Sequence, residues 1–461
     1  MHPSSWLLVV SAVAVADAAV AGEDPQVALL AQIQALRQEV AELRSRLDSL
    51  DASPIPAPAP GEAGGQSAHI LAAATADPLP SRLPPRQTFG DELTGVARVD
   101  NTPPPNDPQL QGFLRIPGTQ TDIKLGGFAK LSLIHDRDPA GNPDKLVTAS
   151  IPIGAGAGTN TVLDANATRF SFEVRRPSSL GPLRFYLEND FYGGPGTSGF
   201  RLRQAHAQVG NTYAGYGYSA FADPDAYPET LDDEGPGSES LRRLASVRQL
   251  WNLAQGVTAA ISIEDPESDI APAQGGAPEQ PLPDVVGTLR LERAWGHLQG
   301  GLLIRQLAYR DAGGDATAMG YGLNLSGQRH FGSDVLSGSV IYGAGISRYL
   351  NDLGGRNMDA VIADDGVNPL RVAAAHVGYT HHWHSGWRSN LVLGRLELET
   401  HPALAPDAFQ TSTYAAANLI LQASPTFSWG LEVLYGDLRV QDGRSSDVLR
   451  VQGSIKYDFV K

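Results

Sequence analysis

Lys124, Lys130, Arg169, Arg175, Arg184 and Arg290 occupy the polar positions of segments whose alternate positions are apolar. Glu173, Glu188 and Asp190 fall on the same polar faces. Fixed positive charge tempered by nearby acids holds small anions weakly and lets them go, which is what a passive anion path needs. Arginine suits carboxylates because its planar fork donates two parallel hydrogen bonds. The same mixture also reads as cross-strand ion pairs that only hold a wall together.

Other chemistry-bearing groups are weaker. His381, His382 and His384 flank Trp383, and His382 and His384 share a strand face. With no acid close by in sequence, they read better as an interfacial aromatic cluster than as a metal site. Asp136-Arg-Asp-Pro-Ala-Gly141 starts like a calcium loop, but its fifth position is Ala140 and its twelfth Val147, so it reads as a hairpin loop. There is no Gly-x-Ser-x-Gly elbow and no phosphate loop. With no cysteine, thiol nucleophiles, thiolate metal sites and disulfides are excluded. No catalytic residue, metal ligand or cofactor is assigned, and the chain does not read as an enzyme.

The elements that carry these residues are strands. From Leu449 to Phe459, Leu449, Val451, Gly453, Ile455, Tyr457 and Phe459 alternate with Arg450, Gln452, Ser454, Lys456 and Asp458. Successive strand side chains point to opposite faces, so such a strand has one dry and one wet side. The pattern recurs over 124–133, 169–175, 183–191 and 427–435. In the last of these, Phe427, Trp429 and Tyr435 bracket Leu431 and Val433, as a lipid-facing strand with two interfacial girdles requires. Residues 296–308 and 335–348 mix Gly, Ser and Leu, and neither face is evident. In Arg201–Val209, alternation puts Arg201 and Arg203 on one face with Ala205 and Ala207, which fits a lumen or a subunit interface equally well. The reading is an all-β transmembrane antiparallel barrel over 112–461; at some 20–25 residues per strand and connection it holds about 16 strands.

Three segments precede the barrel. Residues 1–21 read as a signal peptide, with an apolar stretch from Trp6 to Ala16 and Ala19-Val20-Ala21 as the cleavage site. Within 22–50, Leu29, Leu36, Leu43 and Leu50 at d and Ile33, Val40 and Leu47 at a form a short coiled-coil helix, which implies oligomerisation. Residues 51–111 are rich in Pro and Gly and read as a linker. The formal charge of −15 argues against nucleic acid as a partner. A mean hydropathy of −0.19 does not fit a bundle of spanning helices, but does fit a barrel whose strands are half polar.

The segment Asp223–Arg243 is long, punctuated by Pro and Gly, acidic first and basic last. It is the expected inward-folded loop of a constriction; a solvated outer loop is the alternative.

Gly112-Phe-Leu-Arg-Ile-Pro-Gly-Thr119 with Ile123–Leu131 resembles the opening barrel strand of the DcaP-like trimeric porins. Arg169–Arg175, Tyr186–Gly193, Arg201–Ala207 and Pro228–Pro236 match in order and spacing, as do the heptads and linker. The resemblance covers about residues 112–270. It implies a homotrimer of sixteen-stranded barrels in the outer membrane of a Gram-negative bacterium, with periplasmic N-terminal helices. It also implies passage of small anionic solutes, with aromatic dicarboxylates as the reference substrates. On this match Arg201, Arg203 and Arg248 join the pore-lining set. The chain departs from the family pattern at Gly215-Tyr-Gly-Tyr-Ser-Ala-Phe221, and it ends Phe459-Val-Lys, two residues beyond the aromatic of the usual assembly signal. The match therefore speaks to the family rather than to the solute. Two other readings stand beside a porin: a structural outer-membrane protein with a closed barrel tethered through its helix, and an exported soluble β-protein.

Overall fold

A computed structural model describes residues 112–459 except 195–197, 272–275, 313, 364–365 and 385. The expected signal peptide, heptad helix and linker lie outside the described residues.

Sixteen antiparallel strands form one closed sheet. They are β1 (Asp122–Asp136), β2 (Asn160–Asp164 continued by Arg169–Ser178), β3 (Gly181–Asp190), β4 (Arg201–Val209) and β5 (Thr212–Tyr218). Next come β6 (Arg243–Ala254), β7 (Val257–Glu264), β8 (Asp284–Arg293), β9 (Gly296–Asp311), β10 (Gly314–Phe331) and β11 (Asp334–Ala344). The last are β12 (Arg371–His384), β13 (Trp387–Leu398), β14 (Phe409–Ser424), β15 (Phe427–Val440) and β16 (Ser445–Asp458). Closure comes from β16 pairing back onto β1, from Phe128 opposite Asp458 to Asp136 opposite Arg450. At that seam the Arg450 guanidinium donates to both carboxylate oxygens of Asp136, at 2.6 and 3.1 Å. Asp136 therefore ends a strand ahead of a loop, as its residue pattern suggested.

The connections differ at the two rims. One rim has tight turns, such as Ser178 to Gly181 and Val209 to Thr212; the other carries long loops, among them 137–159, 219–242, 265–283 and 345–370. In outer-membrane barrels the short turns face the periplasm and the long loops face outside.

The dry faces point outward. Leu125, Leu133, Leu391, Leu431 and Val433 are all exposed on the outer wall. Trp251, Trp295, Trp383, Trp429 and Tyr457 ring the short-turn end, and Tyr321, Tyr342 and Tyr435 lie toward the long-loop end. An apolar band between two aromatic girdles is the surface a bilayer requires. A soluble protein would have to cover it.

One sequence expectation is corrected. In β4, Glu188 and Asn189 of β3 pair with Gln204 and Leu202, which leaves Arg203 as an extra, bulged residue. The bulge shifts parity. Arg203 and Gln204 are both buried on the inner side, and Arg201 reaches the inner carboxylate of Asp190; the arginines do not share a face with Ala205 and Ala207. The unclear faces over 296–308 and 335–348 have a different cause. Inner positions Leu303, Leu307 and Ile341 are apolar because they pack on loops folded inside the barrel. With apolar residues on both faces, the alternation that marks a one-sided strand disappears.

Candidate pore constriction

The β5–β6 loop, residues 219–242, folds inward and follows the wall from β8 round to β1. It starts on three strands at once. Asp223 accepts from Arg290 Nη1 on β8 (3.0 Å) and Ser326 Oγ on β10 (2.6 Å), and it contacts His297 Nε2 on β9 (2.9 Å). Arg290 also holds Asp225. Further on, Glu229 takes the Arg388 guanidinium of β13. Glu432 of β15 accepts from the backbone N–H groups of Leu231 (2.9 Å) and Asp232 (2.8 Å). Lys130 of β1 then donates to Leu231 O (2.6 Å) and Asp233 (2.9 Å), and Lys145 pairs with Glu234 at 2.9 Å.

Glycines make the track on which the loop lies. A Cβ on Gly378 of β12 would meet the Pro228 Cβ at 2.4 Å, and one on Gly394 of β13 would meet Pro236 at 2.7 Å. On Gly322 of β10 and Gly430 of β15 it would approach Phe221 at 3.0 Å and Leu231 at 3.1 Å. All four are buried positions on the inner face. They are the signal of an inward loop that sequence reading missed: glycine recurring at wet-face positions on strands in the second half of the barrel.

Two of the candidate cations, Lys130 and Arg290, therefore anchor the loop. Four of the loop's acids, Asp223, Asp225, Glu229 and Asp233, are paired with cations of the wall. Burial raises the Asp233 carboxyl, but Lys130 and Arg169 outweigh that and hold it below its usual value.

The remaining candidates lie on β1–β6. Glu173 bridges Arg175 (2.6 Å) and Arg184 (2.7 Å). Glu188 accepts from Arg203 at 2.7 Å, and Asp190 from Arg201 (2.6 Å) and Arg203 (2.8 Å). Arg248 donates to the Tyr218 carbonyl at 2.9 Å and lies over the Tyr213 ring. Arg169 lies over the ring of Phe128, while Lys124 and Arg175 approach Phe113. On the inner face of β2–β6, Arg169, Arg175, Arg184, Arg201, Arg203 and Arg248 outnumber Asp164, Glu173, Glu188 and Asp190, six cations to four acids. The acids tie the arginines into a ladder and leave an excess of positive charge.

The histidines gain an acidic neighbour that is distant in sequence. Asp334, across the sheet on β11, lies 2.8 Å from His381 Nδ1 and also takes the Tyr379 hydroxyl. Trp383 and His381 form an edge-on ring pair beside this group. It is an outward aromatic cluster at the short-turn rim.

The outer half of the interior is packed. Leu146 and Ile151 from the β1–β2 loop, Phe221, and Ile346, Tyr349 and Leu353 from the β11–β12 loop bury against inner residues such as Val372, Leu396 and Leu434. Asp352 ties these loops together by accepting from the Thr148 hydroxyl and the Ala149 N–H. Burial pushes the Asp232 and Asp352 carboxyls up to about 6; Arg450 opposes this at Asp232, while Glu234 adds to it at both. Both groups bind a proton more tightly folded than unfolded, where an aspartate titrates near ~3.9. Their contribution to the loop packing is therefore full below about pH 4 and is lost as pH rises through about 6. Current fluctuations from loop motion should grow between about pH 4 and about pH 6.5, and Asp352→Asn should flatten much of that rise. An identical pH dependence in the variant would remove Asp352 from the account.

Fold and inward loop together define a class, the sixteen-stranded porin-type barrel of the Gram-negative outer membrane. The family model of the porin subfamily matches residues 110–435, and the chain belongs to that family. It is a channel protein by family and fold. No curated protein matches the chain. Among solved structures it is similar to the outer membrane channel DcaP of Acinetobacter baumannii, at 21% identity and a TM-score of 0.68, over 76% of this chain and 100% of that one. It is also similar to an anion-selective porin from Comamonas acidovorans, at 12% identity and a TM-score of 0.50, over 74% of this chain and 100% of that one. At these identities the likeness is one of fold.

Proposed function

We propose that this porin passes small anionic solutes, carboxylates and aromatic dicarboxylates among them, passively down their gradient. The observation that carries the reading is the asymmetry of charge inside the barrel. The β2–β6 wall keeps an excess of guanidinium groups, while Asp223, Asp225, Glu229, Asp233 and Glu234 of the facing loop are engaged by Arg290, Arg388, Lys130 and Lys145. An anion then meets positive potential on one side and mostly paired acid on the other. Arginines on a strand ladder present their forks at fixed height, which suits a planar carboxylate. A homotrimer, with the N-terminal helices on the periplasmic side, belongs to this proposal. The anion selectivity printed for the Comamonas porin is consistent with it.

The test is planar-bilayer current from the detergent-purified protein, under a salt gradient and with an aromatic dicarboxylate added. An anion-selective reversal potential with block by the dicarboxylate supports the reading; open channels with neither outcome discard the solute class. Replacing Arg169 and Arg175 together with serine is expected to move the reversal potential toward zero while assembly stays intact. Unchanged selectivity would place those two residues away from the narrowest point.

A second reading, a structural protein with its barrel held shut, is favoured by one observation: the core of loops packed into the outer half of the interior. Folded, inserted protein that carries no current would support it.

A further inference from the structure

The long-loop end carries a second group of arginines, outside the β2–β6 ladder. Arg242 ends the β5–β6 loop, Arg348 lies in the β11–β12 loop, and Glu267 lies in the β7–β8 loop (265–283). A single oxygen of Glu267, Oε2, accepts from Arg242 Nη2 at 2.6 Å and pairs with Arg348 Nη2 at 3.1 Å. The Glu267 side chain is 47% exposed, whereas that of Arg348 is 1% exposed. The second guanidinium is thus fixed and the acid is free to leave.

What fixes Arg348 is independent of the Glu267 carboxylate. Its Nη1 donates to the backbone carbonyls of Asp265 (3.2 Å) and Glu267 (3.3 Å), and Asp284 lies 3.5 Å away. Asp284 is itself shared with the buried Arg305, which also binds Asp359 at 2.8 Å. Among the described residues Glu267 is the acid paired with Arg242. The Nε–H groups of Arg242 and Arg348 are both buried without a hydrogen-bond partner. Each guanidinium is built to donate two parallel bonds, and one shared oxygen leaves both under-used.

We infer that Arg242 and Arg348 form a capture site for small carboxylates at the outer mouth, and that Glu267 is a tethered stand-in for the ligand. This rests on the anion-channel reading of the barrel. An arriving carboxylate brings two oxygens, one for each guanidinium, where Glu267 offers one oxygen to both. Because Glu267 and Arg242 are both partly exposed, the exchange requires only side-chain rotation and leaves Arg348 in place. A dicarboxylate held there by one end keeps its other carboxylate for the arginines deeper in the barrel. The tethered acid keeps the site closed to weakly binding anions, since each must outcompete it.

The experiment is single-channel block by phthalate added separately to the long-loop and short-turn sides of the bilayer, in wild type, Glu267→Gln and Arg242→Gln. Glu267→Gln removes the competing charge at nearly constant shape. It should raise the rate of block from the long-loop side by about tenfold, within the range of electrostatic steering, and leave the other side unchanged. Arg242→Gln should lower it from the long-loop side alone. A wild-type reversal potential that stays anion-selective, with both variants blocking at wild-type rates, would overturn the capture site and leave the channel reading intact. An equal change from both sides in Glu267→Gln would also overturn it, as an effect of overall charge. No anion preference in wild type would overturn the anion reading of the channel on which the site rests.

Discussion

Replacing Asp223 with alanine is expected to free the start of the inward loop and enlarge the conducting state, without unfolding the barrel. The Asp223 side chain is 1% exposed and holds Arg290, His297 and Ser326, one from each of β8, β9 and β10. Removing one partner of a buried, hydrogen-bonded ion pair costs roughly 3 kcal/mol or more, because the other partners are left desolvated. Asp225 and Glu292 still contact Arg290, which moderates the loss. At about 3 kcal/mol the balance between docked and undocked loop shifts on the order of 100-fold. The strand ladder does not depend on Asp223, so heat resistance of the folded barrel in detergent should stay near wild type. Bilayer recordings should show larger steps and more frequent transitions. Unchanged conductance would mean that the later anchors, Glu229, Glu432 and Lys130, hold the loop by themselves.

The second large effect is expected from filling the glycine track. In Gly378→Ala and Gly394→Ala combined, the new methyl groups would meet Pro228 at 2.4 Å and Pro236 at 2.7 Å. Proline rings cannot yield by changing rotamer, so the loop backbone has to move away from the wall. Overpacking of this kind costs roughly 1–3 kcal/mol per site. Both glycines lie within regular pairings, Gly378 opposite Ser337 and Val392 and Gly394 opposite His376 and Tyr414, and alanine keeps those pairings. The strain therefore falls on the loop, which must shift toward the β2–β6 wall. Conductance should fall, and anion preference should rise as the path narrows against the arginines. A double variant that conducts like wild type would show that the loop lies farther from these strands than the geometry places it.

How much of this was legible beforehand differs from residue to residue. Over 427–435 every exposed residue was evident from alternation, because a strand in a barrel has one neighbour on its outer face, the lipid, and lipid accepts only apolar side chains. The inner face has no such uniform neighbour. Leu303 and Ile341 look out of place until the loop residues they touch are known, and Lys130 and Arg290 look like pore cations until Asp233 and Asp223 reach them from 103 and 67 residues away in sequence.

Local pattern also fails where parity itself changes. Arg201 and Arg203 could not be placed from alternation because one bulged residue reverses every assignment on one side of it, and a bulge is decided by pairing with Glu188 and Asn189 on the next strand. Likewise Asp334 joins His381 only through the pairing of β11 with β12.

Class, lipid-facing surface and the identity of the charged residues thus follow from the order of side chains along the chain, since they depend on period-two chemistry that each strand carries alone. Which arginines line a path, which anchor a loop and which wait on a tethered acid follow from folding alone. Those roles depend on partners far apart in sequence, and a guanidinium does the same chemistry whether its carboxylate belongs to the wall, a loop or a solute.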